Sequence, residues 1–201
     1  METLLAHPEM DAAHRNDFLR RSLASCHRLQ SLLADVSAIT RLEDGSTAIA
    51  RTDVDLSDIV SEAMADSTDA AAQKGLTITG TCNGPAIVNG NEALLISVMH
   101  NLIDNAITYS GGNVIDVRLE CTKDNAILTV ADNGVGVDDE HLSRLFERFY
   151  RVDKGRSRQA GGTGLGLAIV KNAILWHGGT VAVAHNRPSG LIFTITIPTK
   201  H

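Results

Sequence analysis

The sequence predicts an α/β (α+β) fold: a two-layer α/β sandwich with a mixed sheet, preceded by a long helix of a helical hairpin. Three observations carry that prediction. Residues 11–42 repeat apolar side chains at helical spacing. Beyond a break at Gly45-Ser46, short strand-like segments lie in pairs beside helical ones, with no internal repeat. The length, 201 residues, suits one compact domain plus an appendage.

In the first segment Leu19, Leu23, Cys26, Leu29, Leu33 and Val36 recur by threes and fours, widened by Leu32 and Ile39. Arg20, Arg21, Arg28 and Asp35 flank this stripe, as on an amphipathic helix. Pro8 and Asp11 suit a turn and a helix start. Residues 2–6 read as the end of an earlier helix, so 1–44 is expected to be a hairpin with a truncated first arm. Residues 45–52 then form a linker, and 53–201 a second unit.

Within that unit a helix is expected over 56–74, capped near Asp55 or Ser57 and ended by Gly75. Strands follow at 76–79 and 86–88, then a helix rich in Leu, Ile and Val over 91–109. Strands 114–121 and 126–131 are joined through Lys123-Asp124-Asn125 as a hairpin. Residues 138–149 read as irregular or short-helical, and 151–160 as polar and unpatterned. A helix over 165–177 stops at Gly178-Gly179, before strands 180–184 and 192–197.

Bulk properties exclude several function classes. Net charge is −6, and the one short basic cluster is Lys154, Arg156 and Arg158, which argues against nucleic acid as a partner. No apolar run reaches the roughly 18–20 residues of a membrane-spanning helix, and His7, Pro8 and Glu9 stand where a signal peptide would be apolar. Any membrane segment is therefore expected outside this chain. Cys26, Cys82 and Cys121 match neither a disulfide framework nor a zinc site; buried or half-buried thiols are expected.

Four stretches carry chemistry. Gly161-Gly162-Thr163-Gly164-Leu165-Gly166-Leu167 opens a helix with four glycines, which suits close approach of a phosphate to backbone N–H groups. Its spacing fits neither the dinucleotide fingerprint nor the Walker loop. Asn101 and Asn105 lie one turn apart on one helix face, followed by Tyr109. Their amide oxygens suit Mg²⁺ that already carries phosphate oxygens. Asp132-Asn133-Gly134-Val135-Gly136 ends a strand without a returning one; such a carboxylate beside glycines can accept a proton from a purine amino group. In Phe146-Glu147-Arg148-Phe149-Tyr150-Arg151, three aromatics sit in a chain that is only 3% aromatic. Phe146 and Phe149 read as a satellite core, and Arg151 as a phosphate clamp.

These stretches, in this order, resemble the N box, first glycine box, F box and second glycine box of the catalytic ATP-binding domain of sensor histidine kinases. That domain shares its fold with gyrase, Hsp90 and MutL ATPases. The resemblance covers roughly 53–199, and helix 11–42 resembles the second helix of the dimerisation and phosphotransfer hairpin, including Ile39-Thr40-Arg41-Leu42-Glu43. It implies ATP and Mg²⁺ as ligands. Asp132 would bind the adenine amino group, with Gly134 and Gly136 making room for the base. Asn105 would ligate Mg²⁺, Asn101 would lie near the phosphates, and Tyr109 near the sugar and base. Arg151 would reach the terminal phosphate as the catalytic residue. Gly162, Thr163, Gly164, Leu165, Gly166 and Leu167 would close a lid and offer helix N–H groups to the phosphates. The parent would be a dimeric, membrane-anchored bacterial sensor that passes phosphate to a response-regulator receiver domain, and this chain its cytoplasmic portion.

Two departures from the family pattern stand out. Thr108 occupies a place where the N box commonly has Lys, with Lys154 or Arg148 as candidate substitutes. The phosphoacceptor stretch His-Glu/Asp-Leu-Arg-x-Pro is absent, and His14 and His27 do not match it. The expectation is a fragment that binds Mg-ATP or Mg-ADP without phosphorylating itself. Two rivals stay open: an ATPase of the same fold, and a degenerate nucleotide-binding or scaffold module.

Overall fold

The computed structural model describes residues 11, 14–20, 22, 23, 26, 29, 33, 36, 37, 40, 50–152 and 163–200. The described positions from 14 to 40 are helical, and Asp11 caps them by accepting the His14 N–H at 2.9 Å. Leu19, Leu23, Leu29, Leu33 and Val36 are all exposed. No helix among the described residues is long and apolar enough to cross a membrane.

From Thr52 on, the chain runs β1 Thr52–Asp55, α1 Leu56–Gln73, β2 Thr77–Cys82, β3 Ile87–Gly90, α2 Glu92–Tyr109, β4 Val114–Cys121, β5 Asn125–Asp132, α3 Asp139–Leu142, α4 Gly166–Trp176, β6 Thr180–His185 and β7 Leu191–Pro198. The five-stranded sheet has the order β2-β4-β5-β7-β6. β2 pairs with β4 in parallel and the other neighbours are antiparallel, so the sheet is mixed. β1 and β3 form a separate antiparallel pair. This is the expected two-layer sandwich.

Strict alternation on the central strands builds the core. In cross-strand register, Val117, Val130 and Phe193 form one buried row, and Leu119, Leu128 and Ile195 the next. Helix α2 covers this face with Leu95, Val98, Met99, Leu102, Ile103, Ala106 and Ile107. Each large apolar side chain so buried contributes about 1.5–3 kcal/mol before entropy. Asn101, Asn105 and Thr108 follow one another along one half-buried edge of α2.

Caps set where the helices begin. Asp55 Oδ1 accepts from the Ser57 N–H at 2.9 Å, the Ser57 hydroxyl at 2.8 Å and the Ala86 N–H at 3.0 Å. One oxygen thus starts α1 and ties it to the approach to β3. Burial opposes the Asp55 charge, yet these donors outweigh it and hold the carboxyl below its ordinary range. Asn91 caps α2 by accepting the Leu94 N–H at 3.1 Å.

Several expectations fail on particular residues. The 76–79 strand instead runs Thr77–Cys82, at the sheet edge. Residues 52–55, read as the linker end and the start of the second unit, are strand β1; only Val54 is buried there, too little to show alternation. All three cysteines are exposed rather than buried. Cys82 and Cys121 sit at strand ends, where the pleat no longer carries side chains into the core.

His177 ends α4 and is buried at 4% exposure. Its Nδ1–H donates to the Ala173 carbonyl at 2.7 Å and its Nε2 accepts the Asn91 N–H at 3.0 Å. The two bonds assign a neutral ring. Gly90 makes room for it: a Cβ there would lie 2.7 Å from His177 Nε2. Arg51 stacks over Trp176 at 4.2 Å and donates to the Trp176 carbonyl, while the Ala50 carbonyl accepts from Asn91 Nδ2 at 3.2 Å.

Burial, with Arg51 nearby, lowers the His177 pKa from the ordinary 6.5, against the Ala173 bond that raises it. The unfolded chain then binds the extra proton more readily than the folded one. Stability should therefore be flat above about pH 6.5 and fall as the pH drops towards the depressed folded value. Unfolding with denaturant across this window should show that slope. His177→Ala should remove it and cost about 1–3 kcal/mol, because the Asn91 N–H loses its acceptor. An unchanged slope in the variant would reject His177 as its source.

Candidate functional site

The period of a strand places the key carboxylate. On β5, Ala126, Leu128, Val130 and Asp132 are the buried positions, so the row of core residues ends in an acid. Asp132 faces Ile115 across the β4 pairing and is only 6% exposed. Its Oδ1 accepts the Gly134 N–H at 2.9 Å, and the Leu191 N–H also donates to the carboxylate. Burial raises its pKa above the ordinary carboxylate value, and these two donors offset only part of the rise.

The turn after Asp132 is held against the end of α2. The Ser110 carbonyl accepts the Val135 N–H at 2.8 Å, and a Cβ on Gly134 would run into that same carbonyl. Only glycine lets the two backbones come this close. Gly136 has φ +68°, and a Cβ there would lie 3.3 Å from the Gly190 carbonyl oxygen. Asn133 Oδ1 accepts from the Asn113 and Val114 N–H groups at 2.9 and 3.0 Å, which locks the turn to the start of β4. Tyr109, the last residue of α2, is 39% exposed.

The asparagine edge of α2 meets the start of α4. A Cβ on Gly166 would strike Asn101 Oδ1, so the second glycine box and the N box are in contact. Asn101 is not a free amide: its Nδ2 donates to the Ser97 carbonyl at 2.8 Å and lies 3.3 Å from the Ser97 hydroxyl. Asn105 lies one turn further along, half-buried. Helix α4 begins at Gly166 with Leu165 at its N-cap and no side chain capping its first turn. Thr163 Oγ1 accepts the Leu165 N–H at 3.1 Å. Leu165 is buried with Ile169 in a small separate cluster, while Leu167 packs on the main core.

The F box is stitched to the same place. The Phe149 N–H donates to the Gly164 carbonyl at 2.8 Å, and both residues have positive φ, +62° and +74°. A Cβ on Gly164 would lie 2.9 Å from Phe149 Cα. Phe146 packs edge-on against Phe193, with ring centroids 6.2 Å apart, as a core residue should. Phe149 does not: it is 64% exposed, because its left-handed backbone turns the ring away from the core. Tyr150 is held by His141 Nδ1 at 2.6 Å from its hydroxyl and by Arg144 stacked 4.1 Å over its ring. Next to it, the Nε and Nη2 atoms of Arg151 are buried with no hydrogen-bond partner among the described residues.

The structure thus brings Gly166 onto Asn101 and Gly164 onto Phe149, and it sets Gly134, two residues past Asp132, against Ser110 at the end of α2 and Gly136 against Gly190. Gly162, with Lys154, Arg156 and Arg158, lies outside the described residues. Sequence reasoning missed Ser110 as the contact for Gly134, and it missed the β6–β7 loop, where Asn186 reaches the Asp132 carbonyl. The only local trace of that loop was its polar, turn-forming composition.

Residues 90–201 match the family described as histidine kinase-, DNA gyrase B-, and HSP90-like ATPase. The chain is 36% identical over 182 residues to the sensor-like histidine kinase SenX3 of Mycolicibacterium smegmatis, covering 90% of this chain and 47% of that protein. It thus spans about half the length of the curated relatives it matches. The Acinetobacter baumannii histidine kinase AdeS is 25% identical, with a TM-score of 0.75, over 96% of this chain and 87% of that one. The full-length protein ShkA in complex with AMPPNP superposes with a TM-score of 0.79 at 25% identity, over 96% of this chain and 40% of that one. With a family match over more than half its length, on the very segments that build the site, this chain belongs to the histidine kinase-, DNA gyrase B-, and HSP90-like ATPases.

Proposed function

We propose that this chain is the ATP-binding catalytic part of a sensor histidine kinase, and that it donates the γ-phosphoryl group of Mg-ATP to a histidine of its parent protein for relay to a response-regulator aspartate. The observation that carries the reading is Asp132, a buried carboxylate at the end of the core row, flanked by glycines that bring the backbone close. Its oxygens suit the amino N–H of adenine. At the other end, two Arg151 nitrogens without a partner among the described residues suit an anion, and an α4 N-terminus with no side-chain cap from Leu165 favours one.

In this reading Asp132 orients the base, and Tyr109 borders the sugar and base. Asn101 shapes the phosphate end through its contact with Gly166. Arg151 binds the terminal phosphate. Gly164 to Leu167 bring the start of α4 to the phosphates. Among the described residues no group of three His, Cys, Asp or Glu forms a metal cage, and the half-buried Asn105 amide is the ligand assigned to Mg²⁺. Mg²⁺ there would neutralise phosphate charge, the main demand of phosphoryl transfer. The parent is read as a dimer and a membrane-anchored sensor, with this portion in the cytoplasm.

Two measurements test this. Calorimetric titration with Mg-ATP should show binding, and Asp132→Asn should weaken it about 10- to 100-fold, as loss of a charged acceptor predicts. The same substitution should leave the free protein equally or more stable at neutral pH. The folded state holds the Asp132 proton more tightly than the unfolded one does, so the ionised group costs stability as pH rises through its raised pKa. That gain should vanish towards acid pH. Full-strength ATP binding by Asp132→Asn would reject the base-binding role. Second, Arg151→Ala should erase any preference for ATP over ADP while ADP affinity holds, and an unchanged preference would remove Arg151 from the terminal phosphate.

A further inference from the structure

The loop between β6 and β7 is built around Asp132. Asn186 Nδ2 donates to the Asp132 carbonyl at 2.8 Å, while its Oδ1 accepts the Arg187 N–H at 2.9 Å. The Asn186 N–H closes the loop on the Gly190 carbonyl, also at 2.9 Å. The Ser189 hydroxyl donates to the Asn133 carbonyl at 3.1 Å. Gly190, at φ +100°, leans so close to the Asp132 peptide that a Cβ would strike its carbonyl oxygen. The next residue, Leu191, donates its N–H to the Asp132 carboxylate. At the loop's other shoulder, His185 Nε2 lies 2.6 Å from Asp139 Oδ1, which anchors the strand end to α3.

β5 and β7 are hydrogen-bonded through Ala131 and Ile192 but no further, so Asp132 lies just past the regular ladder. The Asn133 N–H of the same peptide donates to the Val114 carbonyl at 3.3 Å on the β4 side, but on the β7 side no strand partner holds the plane. The Asn186 amide supplies one, because it is half-buried and spends its N–H on the Asp132 carbonyl. Rotation of that plane would displace the Gly134 N–H, whose bond at 2.9 Å orients the carboxylate.

We infer that Asn186 is a positioning residue for base selection: by holding the Asp132 peptide it aims the carboxylate at an adenine amino group and against the carbonyl that guanine presents there. This rests on Asp132 being the base-binding residue, as proposed above. Adenine offers a donor at that position and guanine an acceptor, so the aim of the carboxylate sets the discrimination between them.

The test is calorimetric titration of the chain with Mg-ATP and Mg-GTP, using Asn186→Ala, Asn186→Asp, Asp132→Asn and the double variant Asp132→Asn with Asn186→Ala. Asn186→Ala should weaken ATP binding about 5- to 10-fold, the worth of one hydrogen bond. It should leave GTP binding as it was, so the ATP:GTP ratio falls by the same factor. Asn186→Asp keeps the oxygen that receives the Arg187 N–H but loses the donor, so it should match the Ala variant. In the Asp132→Asn background the Asn186 substitution should change ATP affinity less than about twofold, since the two act through one contact. A role confined to loop stability would leave the ratio unmoved and make the losses multiply, and either result overturns the inference. So would normal discrimination in Asn186→Asp. If the unsubstituted chain discriminates while the ratio survives Asn186→Ala, only this inference falls. If the unsubstituted chain binds neither nucleotide, the base-binding reading falls with it.

Discussion

The close approach of Gly134 to the Ser110 carbonyl is the constraint on which the site depends. It joins the end of the central strand β5 to the end of the main core helix α2. Each element is positioned by its own core residues: alternation on β5, and a broad apolar face on α2. Their ends meet only because residue 134 has no side chain. The Val135 N–H then takes the Ser110 carbonyl, and Asp132 receives the Gly134 N–H. A contact between backbones thus fixes the turn that supplies the carboxylate's donor.

Helix α4 fixes the opposite end of the site by a matter of length. Its C-terminal His177 bonds the Asn91 N–H at the start of α2, and its first residue, Gly166, meets Asn101. From Asn91 to Asn101 is about 15 Å along a helix axis, and from Gly166 to His177 about 16 Å, at 1.5 Å per residue. The two helices therefore run antiparallel and are tied at matched distances. The tie at His177 also receives Ala50 and Arg51, so the residues leading into β1 rest on the far end of the helix that opens with the glycine box.

What the sequence made legible follows from how local each cause is. β4, at Val114–Cys121, is bounded as its alternation predicts, because eight residues show the period plainly. β1 has four residues with one buried, and no period can emerge from that. Asp132 was legible because it ends an alternating row. The exposed ring of Phe149 was not: an aromatic in an aromatic cluster reads as core, and its left-handed backbone is bonded to Gly164, fifteen residues on. His177 and Asn186 find their partners 86 and 54 residues away, so neither could be read from a window of neighbours. The glycines were found as a group, while the structural reason at each one is a particular atom: Ser110 O for Gly134, Asn101 Oδ1 for Gly166.

Among the described residues, electrostatic demand is left partly or wholly unmet at two places. Asp132 is held where burial opposes its charge, with only two backbone donors to offset it. The Arg151 guanidinium has two buried nitrogens without a partner among the described residues. Such groups cost stability in isolation, and a fold selected for stability alone would replace them with apolar side chains. They have opposite needs: the carboxylate requires a donor and the guanidinium an anion. Neither can serve the other while Asp132 is fixed by β5 and Arg151 follows a turn stitched to Gly164. In the proposed reading one ligand meets both, so it must carry an amino group at one end and negative charge at the other, with a flat body that tolerates glycine walls. A nucleoside triphosphate with an adenine base has that arrangement, and an isolated phosphate or a neutral metabolite lacks one half of it.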